Sequence, residues 1–248
     1  MHLFLNSNIF FKNIQLSFRY INSINRKGLS YSVAINHLAD KSDEELKVLT
    51  GKLKSNKNTK NNGLPFDKSK YNLKDLPDTF DWRIFGAVTP VKDQGVCGSC
   101  WSFGTTGAIE GALFLKHKTL VRLSSQNLID CSWGFGNNGC DGGEDFRAYD
   151  WVIKHGGIAT EESYGQYLQA DGYCHFNNAS VGAQLYGYVN VTSYDPVALK
   201  TALVNHGPIS IAIDAGHKSM VFYDNGVYYE PTCGNKPDVS IDNYSFVN

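Results

Sequence analysis

Gln94-Gly95-Val96-Cys97-Gly98-Ser99-Cys100-Trp101-Ser102-Phe103 is the stretch from which the fold and the chemistry of this chain are best inferred. Two cysteines stand three positions apart in a Gly/Ser turn, and an apolar-patterned segment follows them. The pattern predicts a helix from Cys100 to His117. A thiol at a helix N-terminus is chemically activated, because the helix dipole and the exposed N–H groups favour the thiolate. Cys100 is therefore a candidate nucleophile, and the alternative is a buried or disulfide-bonded cysteine.

Two other interpretations of Cys97-x-x-Cys100 carry less weight. The spacing also suits a zinc site, but no second C-x-x-C or H-x-x-x-H accompanies it, so we expect no metal. A thioredoxin-like redox motif would require a βαβ pattern around the two cysteines, and none is evident.

Composition and charge limit the classes of protein to which the chain can belong. The chain has 248 residues, of which 42% are hydrophobic, which is enough for a core of one or two domains. No apolar run reaches 18 residues, so we expect no membrane span. Residues 1–11 make a poor secretory signal, so we expect either targeting information upstream or a chain that is not exported.

The charge is divided unevenly along the chain. Residues 1–75, here called the leader, hold 13 Lys/Arg against 6 Asp/Glu, whereas residues 76–248, here called the body, hold 10 against 18. The basic residues are scattered and no nucleic-acid-binding motif accompanies them, which argues against a nucleic-acid partner. We predict that the basic leader binds the acidic body, and that mild acid loosens it as carboxylates become protonated.

The order of predicted elements is helical first and strand-rich later. In the leader, a helix ending near Asn25, a strand over 31–35 and a helix capped by Ser42 and Glu45 precede a polar linker at 51–72. In the body, helices are predicted over 100–117, 124–130, 141–154 and 196–206, and strands over 185–191, 208–214 and 226–229.

Several motifs together carry a family resemblance. Cys97-Gly-Ser-Cys-Trp101 matches the local signature of a papain-type nucleophile. Leu76-Pro-Asp-Thr-Phe-Asp-Trp-Arg83 resembles the start of such mature enzymes. Ile21-x-x-x-Asn25 and Ala34-x-Asn36-x-Leu38-x-Asp40 resemble motifs of their pro-regions. The chain is thus similar to the papain family of cysteine peptidases, on its cathepsin L-like side.

The resemblance implies an α+β, papain-like two-domain fold. Its helical half would be complete, and its β-barrel half incomplete. A partial, α-rich inhibitory propeptide and linker would occupy residues 1–75, and a peptidase domain truncated at its C-terminus would occupy residues 76–248.

The resemblance also implies roles for individual residues. Cys100 would attack the peptide carbonyl, and Gln94 would donate to the resulting oxyanion. Gly142 and Gly143 would bind the substrate backbone. Glu144, Asp145 and Ala212 would line the pocket for the second substrate residue before the cleaved bond. The two acids, Glu144 and Asp145, would make that pocket tolerate basic side chains.

Four of the six cysteines are expected to be structural. Sequence alone leaves three connectivities open for four cysteines. The resemblance implies Cys97–Cys140 and Cys131–Cys174, and leaves Cys233 over. Disulfides imply an oxidising compartment, so we expect a lysosomal or extracellular glycoprotein. Its sequons begin at Asn178, Asn190 and Asn243.

The catalytic histidine and asparagine of the family are not found where they are expected. They should follow Cys100 by about 130–150 residues. None of the seven histidines lies in that window: His2, His37, His117, His155, His175, His206 and His217. We therefore expect a chain that ends before its base and is inactive as it stands.

The resulting prediction is a cathepsin L-type cysteine endopeptidase precursor without a cofactor. Its expected partners are protein or peptide substrates, its own pro-region and cystatin-like inhibitors, and it is expected to be a monomer. The alternatives are a non-catalytic homologue that binds peptides or inhibits peptidases, and a non-functional fragment.

Overall fold

The computed structural model describes residues 2–47, 49–50, 60–234, 239–243 and 245–247. Its helices are α1 (His2–Asn25), α2 (Asp43–Lys47), α3 (Cys100–His117), α4 (Ser125–Cys131), α5 (Asp145–His155), α6 (Glu161–Tyr164), α7 (Pro196–His206) and α8 (Lys218–Val221). Its strands are β1 (Tyr31–Val33), β2 (Leu64–Pro65), β3 (Thr79–Asp81), β4 (Ile158–Ala159), β5 (Val181–Ala183), β6 (Val189–Asn190), β7 (Ile209–Ile213), β8 (Tyr223–Gly226), β9 (Val239–Asn243) and β10 (Ser245–Val247). The fold is α+β, as predicted.

The leader begins with the predicted helix, strand and helix. The capping box at the start of α2 is complete, because Glu45 N–H donates to Ser42 Oγ and Ser42 N–H donates to the Glu45 carboxylate. Asn25 ties the end of α1 to β1 through two hydrogen bonds with the backbone of Val33, at 2.8 and 3.0 Å. The Asn of the first leader motif therefore fixes the angle between this helix and this strand.

The first part of the leader packs on the body through a strand pair and a small apolar core. β1 pairs antiparallel with β8, with Tyr31 opposite Gly226. Below this pair, Phe222 of the body is 1% exposed and packs among leader side chains: Ile21, Ile24, Tyr31, Val33 and Ala39. The contact is mainly apolar and backbone-mediated.

The helical half of the body consists of α3, α4 and α5 around one core. Its buried members include Trp101, Ile109, Leu128, Ile129, Trp151 and Val152. Ser124 caps α4 by accepting a hydrogen bond from Asn127 N–H, as expected for a serine before a helix. α5 begins at Asp145, four residues later than the sequence predicts, because Gly139–Asp141 forms a separate 3-10 turn.

The strand half is built from short pairs of strands that are distant in sequence. β7 pairs with β9 and β3 pairs with β10, both antiparallel. Over the ranges that the structure describes, every sheet has two strands and none closes a barrel. α7 begins at Pro196 under the Asp195 cap, as predicted.

Two strand predictions in this half are only partly correct. The strand expected over 226–229 lies earlier, at Tyr223–Gly226, because that segment pairs with β1 of the leader. The strand expected over 185–191 is confined to Val189–Asn190, since only these residues pair with the leader strand β2.

The predicted flexible linker at 51–72 is wrong for its second part. Residues 51–59 lie outside the described residues. After them, β2 pairs in parallel with β6, and Lys68 forms an ion pair with Asp195, the residue that caps α7. A polar composition predicted mobility here, but backbone pairing and a charged partner on the body hold this segment in place.

Aromatic contacts strengthen the attachment of the same segment. The Tyr71 hydroxyl lies 2.5 Å from His206 Nε2 at the end of α7, and Phe66 stacks on the Tyr71 ring with a centroid separation of 5.6 Å. Together with the Lys68–Asp195 pair, these contacts define what is here called the α7 clasp.

In the described part of the chain, no helix is both long and apolar enough to cross a bilayer.

Candidate active site

Cys100 is the first residue of α3, the position that the sequence predicts. Its side chain is 3% exposed and it takes part in neither disulfide. α3 packs on α4 and α5 in the helical half and also contacts β7 and β9. The helix that carries the thiol therefore lies between the two halves of the body, where both can contribute to one site.

Gln94 approaches the same helix end from the preceding turn. Its Nε2 amide donates to the Cys97 carbonyl at 3.0 Å and to the Leu49 carbonyl of the leader at 2.9 Å. The amide that the resemblance assigns to an oxyanion is thus occupied by a backbone carbonyl of the leader. The sequence could not indicate Leu49, because the contact uses its main chain and leaves no mark on residue type.

The two disulfides of the structure join the pairs that the resemblance implied. Cys97–Cys140 connects the Gln94–Cys100 turn to the loop before α5, and Gly98 N–H donates to the Cys140 carbonyl at 2.9 Å. Cys131–Cys174 fixes the end of α4. The first bridge holds together the segments that carry the expected nucleophile and the expected substrate-binding glycines.

Gly142 and Gly143 lie immediately after this bridge and are both buried. Gly142 has a φ of 113°, which favours glycine. At Gly143 an added Cβ would lie 2.5 Å from the Trp101 ring, so only glycine permits the loop to pack on the first turn of α3. The structure thus requires both glycines sterically, and their substrate-binding role stays a prediction.

Glu144 is buried and paired, and its expected place in the substrate pocket stays a prediction. Its side chain is 7% exposed, and its carboxylate accepts a hydrogen bond from Arg147 Nε at 2.9 Å. Arg147, three residues later on α5, offsets part of the negative charge through which the pocket was expected to tolerate basic substrate side chains. Asp145 is half-buried and accepts from Phe146 N–H at the start of α5.

Ala212 lies in the middle of β7, opposite Ser240 of β9. It is half-buried, like every residue of this strand. Its expected place in the floor of a substrate pocket stays a prediction.

The structure places the described histidine side chains in contacts, or at positions, away from Cys100. His117 is the last residue of α3, about 25 Å along the helix axis from Cys100. The others contact Asp93 (His37), the Trp151 carbonyl (His155), the Tyr164 and Tyr173 carbonyls (His175), the Tyr71 hydroxyl (His206) and Asp214 (His217). None of these contacts involves Cys100.

Tyr167 is a site residue that the sequence did not indicate. Its hydroxyl lies 2.7 Å from the Gln94 carbonyl and 2.6 Å from Ser99 Oγ. Burial, as the largest cause, raises the pKa of Tyr167, so the hydroxyl stays protonated at neutral pH. No group of three or more potential metal ligands occurs among the described residues.

Comparison with known proteins agrees with this geometry. The family described as "Papain family cysteine protease" matches residues 76–245. A cathepsin L-like peptidase of Aedes aegypti is 56% identical over 162 residues, which cover 65% of this chain and 48% of that protein. Cysteine proteinase 2 of Dictyostelium discoideum is 45% identical over 86% of this chain and 57% of its own length.

Solved structures extend the similarity into the leader. Digestive procathepsin L 3 of Tenebrio molitor larval midgut superposes with a TM-score of 0.85 at 36% identity, over 98% of this chain and 77% of that one. The chain spans about half the length of the curated relatives quoted above. The family match covers more than half of the chain, on the segment that carries Cys100 and Gln94. The chain therefore belongs to the papain family of cysteine proteases.

Proposed function

We propose that the chain is a cysteine endopeptidase precursor of the cathepsin L type, in which residues 1–75 are an inhibitory pro-region and residues 76–248 the peptidase part. The observation that carries this proposal is the hydrogen bond from Gln94 Nε2 to the Leu49 carbonyl, next to the helix that begins at Cys100. A backbone carbonyl of the leader thereby occupies the donor that a substrate oxyanion would use. The family membership and the procathepsin neighbours support the same interpretation.

The chemistry follows from these groups. The Cys100 thiolate adds to a peptide carbonyl, whose oxygen becomes an anion held by Gln94 Nε2 and the backbone N–H at Cys100. Collapse of this intermediate breaks the C–N bond, and the amine leaves with the proton that the thiol had given up. Water then hydrolyses the remaining thioester to the carboxylic acid and the free thiol. One oxyanion donor typically contributes about 10²–10³ in rate, so Gln94 is expected to be essential for rapid turnover.

We further propose that this chain by itself turns over slowly, because a base for the thiol and an acid for the leaving amine are not among its described histidines. Loss of one member of a catalytic unit typically costs several orders of magnitude. The runner-up is a non-catalytic peptide-binding or peptidase-inhibiting homologue. It is favoured by the same Leu49 contact, in which the Gln94 amide binds a backbone carbonyl of the leader.

The test uses the full chain and a Cys100→Ser control. An epoxide inhibitor of thiol proteases should label Cys100, as mapped by mass spectrometry, and a fluorogenic peptide should be hydrolysed slowly. Added imidazole should accelerate this hydrolysis in proportion to its concentration, because it replaces the base. Cys100→Ser should abolish both labelling and rescue.

The possible outcomes separate the candidates. Absence of labelling at Cys100 would contradict the endopeptidase assignment, and rapid hydrolysis without imidazole would contradict the missing base. Labelling without any hydrolysis or rescue would favour the peptide-binding homologue. Tight inhibition of a related peptidase by the intact chain would favour the inhibitor.

We propose an oxidising compartment, lysosomal or extracellular, on the basis of the two disulfides. Of the sequons, Asn178 is exposed, whereas Asn190 Nδ2 donates to Asn61 of the leader at 2.8 Å. A glycan is therefore expected at Asn178. Protein or peptide substrates, the chain's own leader and cystatin-like inhibitors are the proposed partners of a monomer.

A further inference from the structure

Three polar groups beside α3 form a hydrogen-bond chain with a fixed direction. A carbonyl oxygen only accepts, so the Tyr167 hydroxyl must use its single proton to donate to the Gln94 carbonyl at 2.7 Å. The 2.6 Å contact with Ser99 then has Ser99 Oγ as donor and Tyr167 as acceptor. The chain runs from Ser99 through Tyr167 to the backbone of Gln94.

Because Ser99 donates to Tyr167, its side chain is turned away from the start of α3. Ser99 occupies the N-cap position, where a serine ordinarily accepts a hydrogen bond from an N–H of the first turn. In this structure its side chain makes no such capping bond, although Ser99 is fully buried. Its hydroxyl is engaged by Tyr167 instead. The positive end of the helix dipole is therefore not offset by its own N-cap side chain, and it lies beside Cys100.

Packing holds the Tyr167 ring in the position from which its hydroxyl bonds to Ser99. The ring is half-buried and meets Phe103, in the first turn of α3, edge to face with centroids 4.9 Å apart. The ring is thus fixed against the nucleophile's helix, while its hydroxyl lies between Ser99 Oγ and the Gln94 carbonyl.

We propose that Tyr167 is a positioning residue of this active site: it draws the Ser99 hydroxyl away from the helix start, which keeps the helix dipole available to the Cys100 thiolate, and it anchors the backbone from which the Gln94 amide extends. Tyr167 acts through these neighbours and contacts no substrate. The proposal rests on the proposed function, since it assumes that the thiolate is the reactive species.

The test measures the titration of Cys100 by the ultraviolet absorbance of its thiolate. It uses the full chain with Cys233→Ser, and Cys100→Ser/Cys233→Ser supplies the baseline. In Tyr167→Phe the ring stays but nothing holds the Ser99 hydroxyl away from the helix, and its oxygen should turn to accept a hydrogen bond from an N–H of the first turn, as an N-cap serine ordinarily does. The titration midpoint should then rise by about 0.5 pH unit.

Removal of the competing cap should reverse this effect. Tyr167→Phe/Ser99→Ala should titrate like the parent, because no hydroxyl remains to cap the helix. Ser99→Ala alone should also titrate like the parent, since Ser99 does not cap the helix in the first place. Tyr164→Phe is the matched control: that hydroxyl donates to buried Asp130 and not to this helix start, so the midpoint should not move.

The proposal is overturned by an unchanged midpoint in Tyr167→Phe, by a double variant that stays raised, or by a fall in Ser99→Ala. If Tyr167→Phe does not fold, Ser99→Ala decides, because a lowered midpoint there would mean that Ser99 had been capping the helix. The readout needs no peptide hydrolysis. It can therefore succeed or fail independently of the turnover test of the proposed function.

Discussion

The helical half and the strand half of the body differ in how completely they bury their apolar side chains. Leu128 and Ile129 in α4 are fully buried, at 0% exposure. In β7, by contrast, all five residues are half-buried. The helical half is also closed by both disulfides, whereas the described strands pair only two at a time.

The difference reflects how far along the chain each contact must reach. The helices of the core lie within about sixty residues of one another, and their caps are local. Two of the strand pairs reach much further along the chain, since Tyr31 pairs with Gly226 and Phe80 with Phe246. The helical half is thus stabilised by its own sequence, and the strand half depends on the leader and on β9 and β10.

The largest effect on stability is expected when one isoleucine side chain in each half is replaced by alanine. Ile129→Ala in α4 should lower the free energy of unfolding by about 4 kcal/mol, because it opens a cavity in a fully buried core. Ile211→Ala in β7 removes the same atoms from a half-buried strand and should cost less than half as much. Urea unfolding of both variants measures the difference. Equal losses would mean that the two halves are packed equally well.

Removal of the Cys131–Cys174 disulfide should have a slightly smaller effect on the free energy of unfolding. Replacing Cys131 and Cys174 together by alanine should lower the free energy of unfolding by about 2–4 kcal/mol, mainly through the freer unfolded chain. Cys233→Ala is the control, because Cys233 is exposed and outside both disulfides, and its effect should be close to zero. A negligible loss in the double variant would show that the helical half owes little to its bridges.

The sequence predicts best those features that depend on a few neighbouring residues. Ser124 and Asp195 cap α4 and α7 as expected, and Cys100 begins α3, because each signal lies within four residues of its effect. The same holds for the Ser42–Glu45 capping box. Local sequence therefore suffices to place the expected nucleophile at the start of its helix.

Features that depend on distant partners could not be predicted. The strand at Tyr223–Gly226 is selected by β1, and β2 is held by β6, although its own composition suggested a flexible linker. In both cases a tertiary contact, invisible in local residue types, decided the outcome.

The smallest effect concerns the attachment of the leader in acid. The charge division suggested loosening at mildly acidic pH, but the Lys68 ammonium, followed by the Ala198 N–H, holds the pKa of Asp195 below its ordinary value. A carboxyl with a depressed pKa in the folded state stabilises that state above its ordinary pKa of about 3.9, and loses this contribution only as the pH falls through the lower value. Between pH 7 and 5 the α7 clasp should therefore keep this ion pair.

Limited proteolysis of the segment after Asn61 measures how firmly the α7 clasp holds the leader at each pH. Its cleavage rate should be nearly constant from pH 7 to 5 and should rise below about pH 4. Asp195→Asn is the matched variant, because asparagine still caps α7 but carries no charge for Lys68. It should raise the cleavage rate at neutral pH and flatten the rise in acid. A parent protein that already loosens at pH 5 would instead support the charge-division prediction, with carboxylates other than Asp195 holding the leader.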